Sequence, residues 1–250
     1  MYINKTKGIV IRNYDYGEGH RVVVIFTRRL GKIKGVAKGS RKTKSKFGAS
    51  LEPFSENDFF LYKKPNQSLY IITGCDKINS NSGIREDMIK YGYGSLMLEG
   101  VNIMYRENDP EPILYDLIVE AFKNLKNENP ASTAWLFVFR LLKYAGYRLD
   151  FFNCSGCSKK KIKEFYFSPE SGGILCKNCK EDYTYSFPIS AETVYAVRKI
   201  SPSREITANT EREIGNAVEK FIKYHFNKSF KSLGFLDVFK KRKESCISRS

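Results

Sequence analysis

The sequence predicts an α+β protein in which an N-terminal β-barrel precedes an α-helical domain that carries a short cysteine-bearing insert. Short segments rich in β-branched and aromatic residues fill positions 1 to about 78, and turn residues separate them. From Arg85 onward, apolar residues recur at helical spacing instead. Strands followed by helices are typical of segregated α+β folds. The predicted domains are a barrel over residues 1–80, a helical domain over 81–151 and 184–250, and an insert over 152–183.

The N-terminal part contains the pattern of a small closed barrel. Five short strands are predicted at Gly8–Arg12, Arg21–Thr27, Ile33–Ala37, Asp58–Tyr62 and Ser68–Thr73. Five strands in so short a segment suit an OB-fold. An SH3-like barrel is the alternative, and the pattern alone does not choose between the two.

The later part is predicted to be helical. Met88, Tyr91, Ser95 and Leu98 would form one face of the first long helix. Pro110 and Pro130 are each expected in the first turn of a helix, where a missing N–H costs nothing. Thr210-Glu-Arg-Glu213 has the spacing of a capping box, so we expect the last long helix to begin there.

Four cysteines form two CxxC pairs within the insert, separated by eighteen residues: Cys154, Cys157, Cys176 and Cys179. Two such turns facing each other supply the four thiolates of a structural zinc site, so one Zn²⁺ per chain is the first interpretation. Redox dithiols and disulfides are the alternatives. A single redox motif does not need two matched pairs, and disulfides are rare in a reducing cytoplasm.

The chain is strongly basic, with a formal net charge of +16. Residues 19–51 contain no acidic residue, and their cations include the candidate nucleic-acid contacts Arg28, Arg29, Lys32, Lys34, Lys38, Arg41, Lys42, Lys44 and Lys46. Phosphate neutralisation next to exposed rings is typical of nucleic-acid binding, although a solvated surface face is the simpler alternative. Tyr14 and Tyr16 are the stacking candidates, whereas Phe26 is expected in the core. A lysine-rich contact set predicts weak sequence preference.

Two smaller basic clusters are weaker candidates for the same footprint. One lies on the insert, at Lys159, Lys160, Lys161 and Lys163, and the other near the C-terminus, at Lys240, Lys241, Arg242 and Lys243. Either would extend a nucleic-acid surface or be ordinary solvated charge.

No sequence motif predicts catalysis. The chain lacks a phosphate-binding GxxxxGK[ST] loop and an HExxH helix, and its two histidines have no nucleophile partner in sequence. His20 is expected at the surface and His225 as a satisfied, half-buried histidine. The start does not resemble a signal peptide, and no apolar stretch is long enough for a membrane helix. We expect a cytoplasmic protein that is not an enzyme.

Several motifs, in the right order along nearly the whole chain, resemble the RecO family of bacterial recombination mediators. In the N-terminal part they are Gly8-Ile-Val-Ile-Arg12, Leu30-Gly-Lys-Ile33 and Leu51-Glu-Pro-Phe54. Later signatures are Phe167-Ser-Pro-Glu-Ser-Gly-Gly-Ile-Leu-Cys176 and Lys231-Ser-Leu-Gly-Phe-Leu236.

The resemblance implies an OB-fold, a helical domain and a zinc module held by the four cysteines. It implies binding of single- and double-stranded DNA and annealing of complementary strands. It also implies partnership with RecR, contact with the C-terminal tail of the single-strand binding protein SSB, and help in loading RecA onto SSB-coated DNA. We therefore expect association with the nucleoid and no contact with a membrane.

A different function stays open at this point. OB barrels and zinc ribbons serve RNA equally well, so an RNA-binding or ribosome-associated factor is the alternative. Preference for single-stranded DNA over structured RNA would distinguish the two.

Overall fold

The computed structural model describes residues 4–65 and 67–238. It contains two compact units, Met1–Gly94 with Tyr105–Phe122, and Ser95–Met104 with Lys123–Ser250. The basic cluster at 240–243 lies outside the described residues, as does the end of the predicted helical domain. None of the helices described is long and apolar enough to cross a membrane.

A closed five-stranded barrel forms the first unit, which confirms the predicted barrel. Its strands are β1 (Asn4–Tyr16), β2 (His20–Thr27), β3 (Gly31–Ala37), β4 (Glu56–Tyr62) and β5 (Tyr70–Asn79). They follow the order β1-β2-β3-β5-β4, and β4 pairs with β1 to close the barrel. All neighbours are antiparallel except β3 and β5. This arrangement is OB-like.

The observed strands are longer than the predicted ones at several ends, and β5 begins at Tyr70 rather than Ser68. Pairing with two neighbours extends β1 to thirteen residues, and a register shift between Val10 and Arg12 bends it around the barrel. The barrel core contains Val10, Val23, Ile25, Ile33, Phe47, Leu51, Phe59, Leu61 and Ile72.

Residues 105–109 cover the outside of β2 and β3. Tyr105 packs edge-on against Phe26, with ring centroids 6.2 Å apart. The backbone N–H of Asn108 donates to the Lys32 carbonyl at 2.9 Å. Gly31 lies so close that a Cβ there would be 2.0 Å from the Asp109 carbonyl oxygen, and its φ is +67°. These contacts bury β2 on both faces, and Phe26 is in the core as predicted.

Within the described residues, six α-helices and a final helical segment follow the barrel. The six are α1 (Ser82–Arg85), α2 (Met88–Met104), α3 (Pro112–Asn127), α4 (Pro130–Tyr144), α5 (Ala191–Arg198) and α6 (Ala208–Phe226). Residues 231–238 are also helical. Between α4 and α5 lies a small antiparallel sheet of β6 (Phe165–Ser168), β7 (Gly173–Leu175) and β8 (Phe187–Ile189), in the order β7-β6-β8.

Three predictions about the helices were wrong in detail. Helix α3 begins at Pro112, not in the turn of Pro110, because the residue before a proline avoids the helical region and Glu111 precedes Pro112. The prediction that the apolar residues of α2 form one face of the helix was also wrong. Met88 belongs to that predicted face but is 46% exposed, and buried residues lie on most sides of the helix. Pro130 opens α4 as predicted, with Asn129 as its N-cap.

The third correction concerns α6. The helix begins at Ala208, and its N-cap is Thr207, whose side chain accepts from the Thr210 N–H. The predicted capping box therefore does not form. Glu213 instead accepts from the backbone N–H and the hydroxyl of Ser190, both at 2.8 Å. Since Ser190 is the N-cap of α5, this carboxylate ties the start of α5 to α6.

Candidate metal centre and nucleic-acid interface

The four cysteines of the two CxxC pairs meet at one point of the second unit. The sulfur atoms of Cys154, Cys157, Cys176 and Cys179 all lie within 4.8 Å of one another, and those of Cys157 and Cys176 are 3.9 Å apart. Thiolates on a tetrahedral zinc ion lie about 3.8 Å apart, since each Zn–S bond is about 2.3 Å. The donor set and its spacing therefore fit a metal ion.

The local backbone explains this convergence. Strands β6 and β7 form a hairpin, so the segment before β6 and the segment after β7 end on the same side. Gly156 lies against the opposite turn, where a Cβ would be 2.8 Å from the Cβ of Cys179 and 3.0 Å from its sulfur. Only glycine allows the two CxxC turns to approach this closely.

Backbone N–H groups point at the most buried sulfur. Burial raises the pKa of the Cys154 thiol, but hydrogen bonds from the backbone of Cys157, Cys176 and Gly156 outweigh it and lower the pKa to about 7. Hydrogen bonds with the thiols of Cys157 and Cys176 raise the pKa of Cys179 to about 12. The four cysteines are therefore hydrogen-bonded to one another through their thiol protons. A bound metal ion would displace these protons, because thiolates are the metal ligands.

The nine predicted DNA contacts all lie in the first unit, but they are not equivalent. Arg28 forms a bidentate ion pair with Asp116, in which Arg28 Nη2 donates to Asp116 Oδ2 at 2.9 Å. The Lys34 ammonium lies 2.6 Å from Glu107 Oε1. Glu107 lies in the connection between α2 and α3, and Asp116 lies in α3, so this part of the chain neutralises part of the basic surface.

Lys32 is enclosed rather than presented to solvent. Only 7% of it is exposed, because the segment around Asn108 covers it. Burial lowers the pKa of Lys32, and nearby Lys34 and Arg12 lower it further, while Glu107 opposes the shift. Of the nine candidates, Lys32 is therefore the least accessible to a phosphate.

Two further candidates hold in place the loop of residues 38–46, called here the basic loop. Arg41 pairs with Asp15 at 3.3 Å and donates to the Gly17 carbonyl, also at 3.3 Å. The Lys46 ammonium donates to the Thr73 carbonyl at 2.5 Å and lies over the Phe47 ring. The remaining four are exposed or nearly so and form no ion pair with any residue in 4–65 or 67–238: Arg29, Lys38, Lys42 and Lys44.

A groove of about 420 Å³ lies beside Lys38, one of these exposed cations. The β1–β2 turn and the β4–β5 loop border it, and Tyr16, Lys38, Lys64 and Tyr70 line it. Tyr16 is 53% exposed, and the Lys63 ammonium lies 5.0 Å from the centroid of the Tyr70 ring. In OB-folds, the face of strands 2 and 3 and these two loops bind oligonucleotides. Tyr14, the other predicted stacking residue, is 44% exposed.

The two histidines have structural partners. His20 is half-buried, and its Nδ1 accepts from the Gly39 N–H at 2.9 Å, so it supports the start of the basic loop. The sequence had predicted only that His20 lies at the surface. His225 is the satisfied, half-buried histidine predicted: its Nε2 lies 3.0 Å from the Pro169 carbonyl, and its ring packs against Phe221.

Comparison with known proteins shows the family to which the chain belongs. The family "Recombination protein O N terminal" matches residues 1–81, and "Recombination protein O C terminal" matches residues 85–234. The chain belongs to the RecO family. Proteins named DNA repair protein RecO from Clostridium novyi and Acetivibrio thermocellus are 32% and 30% identical over 255 and 241 residues. These alignments cover 96% of both chains for the first, and 93% of this chain and 95% of the relative for the second.

The RecO-family resemblance seen in the sequence is thereby confirmed, but two parts of the site were missed. The groove residues Lys64 and Tyr70 lie on a loop and at a strand end with no distinctive motif. Glu107 and Asp116 belong to an acidic stretch in an otherwise basic chain, which was a visible signal. The packing of this acidic stretch against the barrel is a tertiary contact, which no local sequence pattern predicts.

Proposed function

We propose that this RecO-family protein acts in DNA repair and homologous recombination by binding DNA on its barrel. The observation that carries the proposal is the groove beside Lys38, on the same loop as the exposed cations Lys42 and Lys44. The exposed ring of Tyr16 offers a base-stacking face, and the adjacent ammonium groups neutralise phosphates. Contacts to phosphates carry no sequence information, so we expect binding to single- and double-stranded DNA with little sequence preference.

Annealing of complementary strands follows from the same physics. A basic surface lowers the repulsion between two phosphate backbones, and a sequence-blind binder lets base pairing choose the partner. We propose that the protein acts without catalysing a reaction, in the cytoplasm at the nucleoid. In this role it would work with RecR, contact the C-terminal tail of SSB, and help RecA load onto SSB-coated DNA. The relatives' shared name, DNA repair protein RecO, supports the pathway.

For the four-cysteine site we propose one structural Zn²⁺ per chain. Cys154, Cys157, Cys176 and Cys179 would hold it as thiolates. When bound, the ion supplies a crosslink between the two CxxC turns, and four protein ligands leave no open position for chemistry.

The test removes the exposed charges of the basic loop. A Lys38→Gln/Lys42→Gln/Lys44→Gln variant should bind a labelled oligo-dT more weakly. The slope of log affinity against log salt should flatten by up to about 0.7 per lost phosphate contact, or about 2 in total. Fluorescence anisotropy over a range of salt concentrations measures both quantities.

A control triple variant, Lys123→Gln/Lys143→Gln/Lys228→Gln, removes the same charge from exposed positions of the second unit. If both variants lose affinity equally, net charge and not the barrel surface explains binding. Annealing of complementary oligonucleotides pre-coated with SSB tests the mediator role. Tighter binding to structured RNA than to single-stranded DNA would favour an RNA-binding function instead.

A further inference from the structure

The three-stranded sheet of the second unit carries a row of aromatic rings that metal binding does not require. Phe165 and Phe167 lie two residues apart on β6, and so about 7 Å apart on the same face. Phe167 packs against Phe187, with ring centroids 5.7 Å apart, and Phe165 packs against Tyr195 at 6.3 Å. The row therefore has a buried centre and two accessible ends.

Arg198 stands at one end of the row. Its Cζ lies 5.3 Å from the Tyr195 ring centroid, 5.8 Å from that of Phe152 and 5.9 Å from that of Phe165. Phe152 is 56% exposed and Tyr195 is 51% exposed, so about half of each side chain is open to solvent beside Arg198.

The guanidinium of Arg198 is held in place and still has donors to offer. Its Nε donates to the Phe151 carbonyl at 2.7 Å and its Nη2 to the Phe152 carbonyl at 3.1 Å. Two of its five N–H groups are used in this way. Arg198 forms no ion pair with the residues described, in contrast to Arg28 and Lys34 on the barrel. A fixed, unpaired guanidinium between exposed rings suits a phosphate whose base stacks beside it.

The other end repeats the arrangement with a lysine. The Lys220 ammonium lies 4.9 Å from the ring centroid of Tyr185 and 5.3 Å from that of Phe187, and it donates to the Tyr185 hydroxyl at 2.6 Å. Tyr185 is 47% exposed. Cations beside exposed rings thus occur at both ends of one aromatic row.

We propose that this row is a second binding surface for single-stranded DNA. Phosphates would lie at Arg198 and Lys220, and bases would stack on Phe152, Tyr195 and Tyr185. The inference rests on the proposed annealing function, since annealing needs two strands and the barrel groove accounts for one. The second strand is held on the metal-binding unit of the same chain.

The test replaces two exposed rings while keeping every charge. A Phe152→Ser/Tyr195→Ser variant of the full chain should keep its metal content and melting temperature, because both side chains are exposed. The wild-type chain should bind two short oligo-dT molecules, and the variant should bind one. The affinity for the second should fall at least about tenfold, as expected for lost base stacking. The annealing rate of uncoated strands should fall with it.

A Tyr144→Ser/Tyr224→Ser variant is the matched control, because both tyrosines are exposed in the same unit and neither has a cation over its ring among the described contacts. Photo-crosslinking with iodouracil-containing oligonucleotides should label the peptide around Phe152 or Tyr195. Unchanged stoichiometry and annealing in the Phe152/Tyr195 variant, or crosslinks confined to the barrel, would overturn the second surface. The basic-loop lysine variant tests the barrel separately: if it alone loses an oligonucleotide, the barrel proposal stands and this one fails.

Discussion

The acidic segment that packs against the barrel makes a counter-intuitive prediction: removing two carboxylates should tighten DNA binding. Glu107→Gln would release Lys34 from an ion pair of 2.6 Å, and Asp116→Asn would release Arg28 from its bidentate pair. Both cations belong to the predicted contact set. Each change keeps the size and shape of the side chain while removing its charge.

The magnitude follows from the exposure of these pairs. All four side chains are 35–56% exposed, so solvent screens them and each pair contributes about 0.2–1 kcal/mol to stability. The double variant should therefore melt only a few degrees lower. If both released cations contact phosphates, the salt slope on single strands should steepen by up to about 0.7 for each, or up to about 1.4 in all. The affinity gain should be largest at low salt.

Fluorescence anisotropy with oligo-dT from low to moderate salt measures the slope, and a melting curve confirms the fold. Glu128→Gln is the control, because Glu128 is an exposed carboxylate of the other unit with no ion pair to a described residue. A slope equal to that of the wild type would refute the reasoning and remove Arg28 and Lys34 from the footprint. An equal gain per removed charge with Glu128→Gln would show a general effect of net charge.

The remaining predictions concern the metal site and Lys32. Cys176→Ser should lose bound metal and lower the melting temperature, since structural zinc contributes folding energy directly; wild-type metal content and melting would show the ligand assignment to be wrong. Gly156→Ala should make the protein lose its metal to a chelator more readily, because the new Cβ would lie 2.8 Å from the Cβ of Cys179. Gly83→Ala is the control, because a Cβ at Gly83 meets open space and should leave metal retention unchanged. Lys32→Met should raise the melting temperature and leave the salt slope unchanged. Because burial lowers the pKa of Lys32, its charged form destabilises the fold at neutral pH, and this gain should vanish once pH exceeds the unfolded pKa of about 10.4.

Local chemistry made much of the fold predictable. Alternating burial along β4 and the buried stripe of α4 follow directly from their two- and 3.6-residue periods. The two CxxC pairs could be assigned to one site because each pair closes within a single turn and a hairpin joins them. Features of this kind depend on residues close together in the chain.

The starts of the helices were less predictable, for a physical reason that α6 illustrates. Thr207 and Thr210 both have the chemistry of an N-cap, and Glu213 has the position of a capping-box partner. Thr210 is buried, and its hydroxyl donates to Glu192 at 3.2 Å, while Glu213 is taken by Ser190. When two local signals compete, distant partners determine which one is used.

The sequence by itself determined the barrel-then-helix order, the thiol set of the metal site and the concentration of positive charge in residues 19–51. Only the tertiary structure decided which of those charges stay available to DNA. Arg28 and Asp116 are 88 residues apart in the chain, yet their side chains are in contact. Electrostatic neutralisation depends on distance in space, whereas periodicity and motif spacing report only distance along the chain.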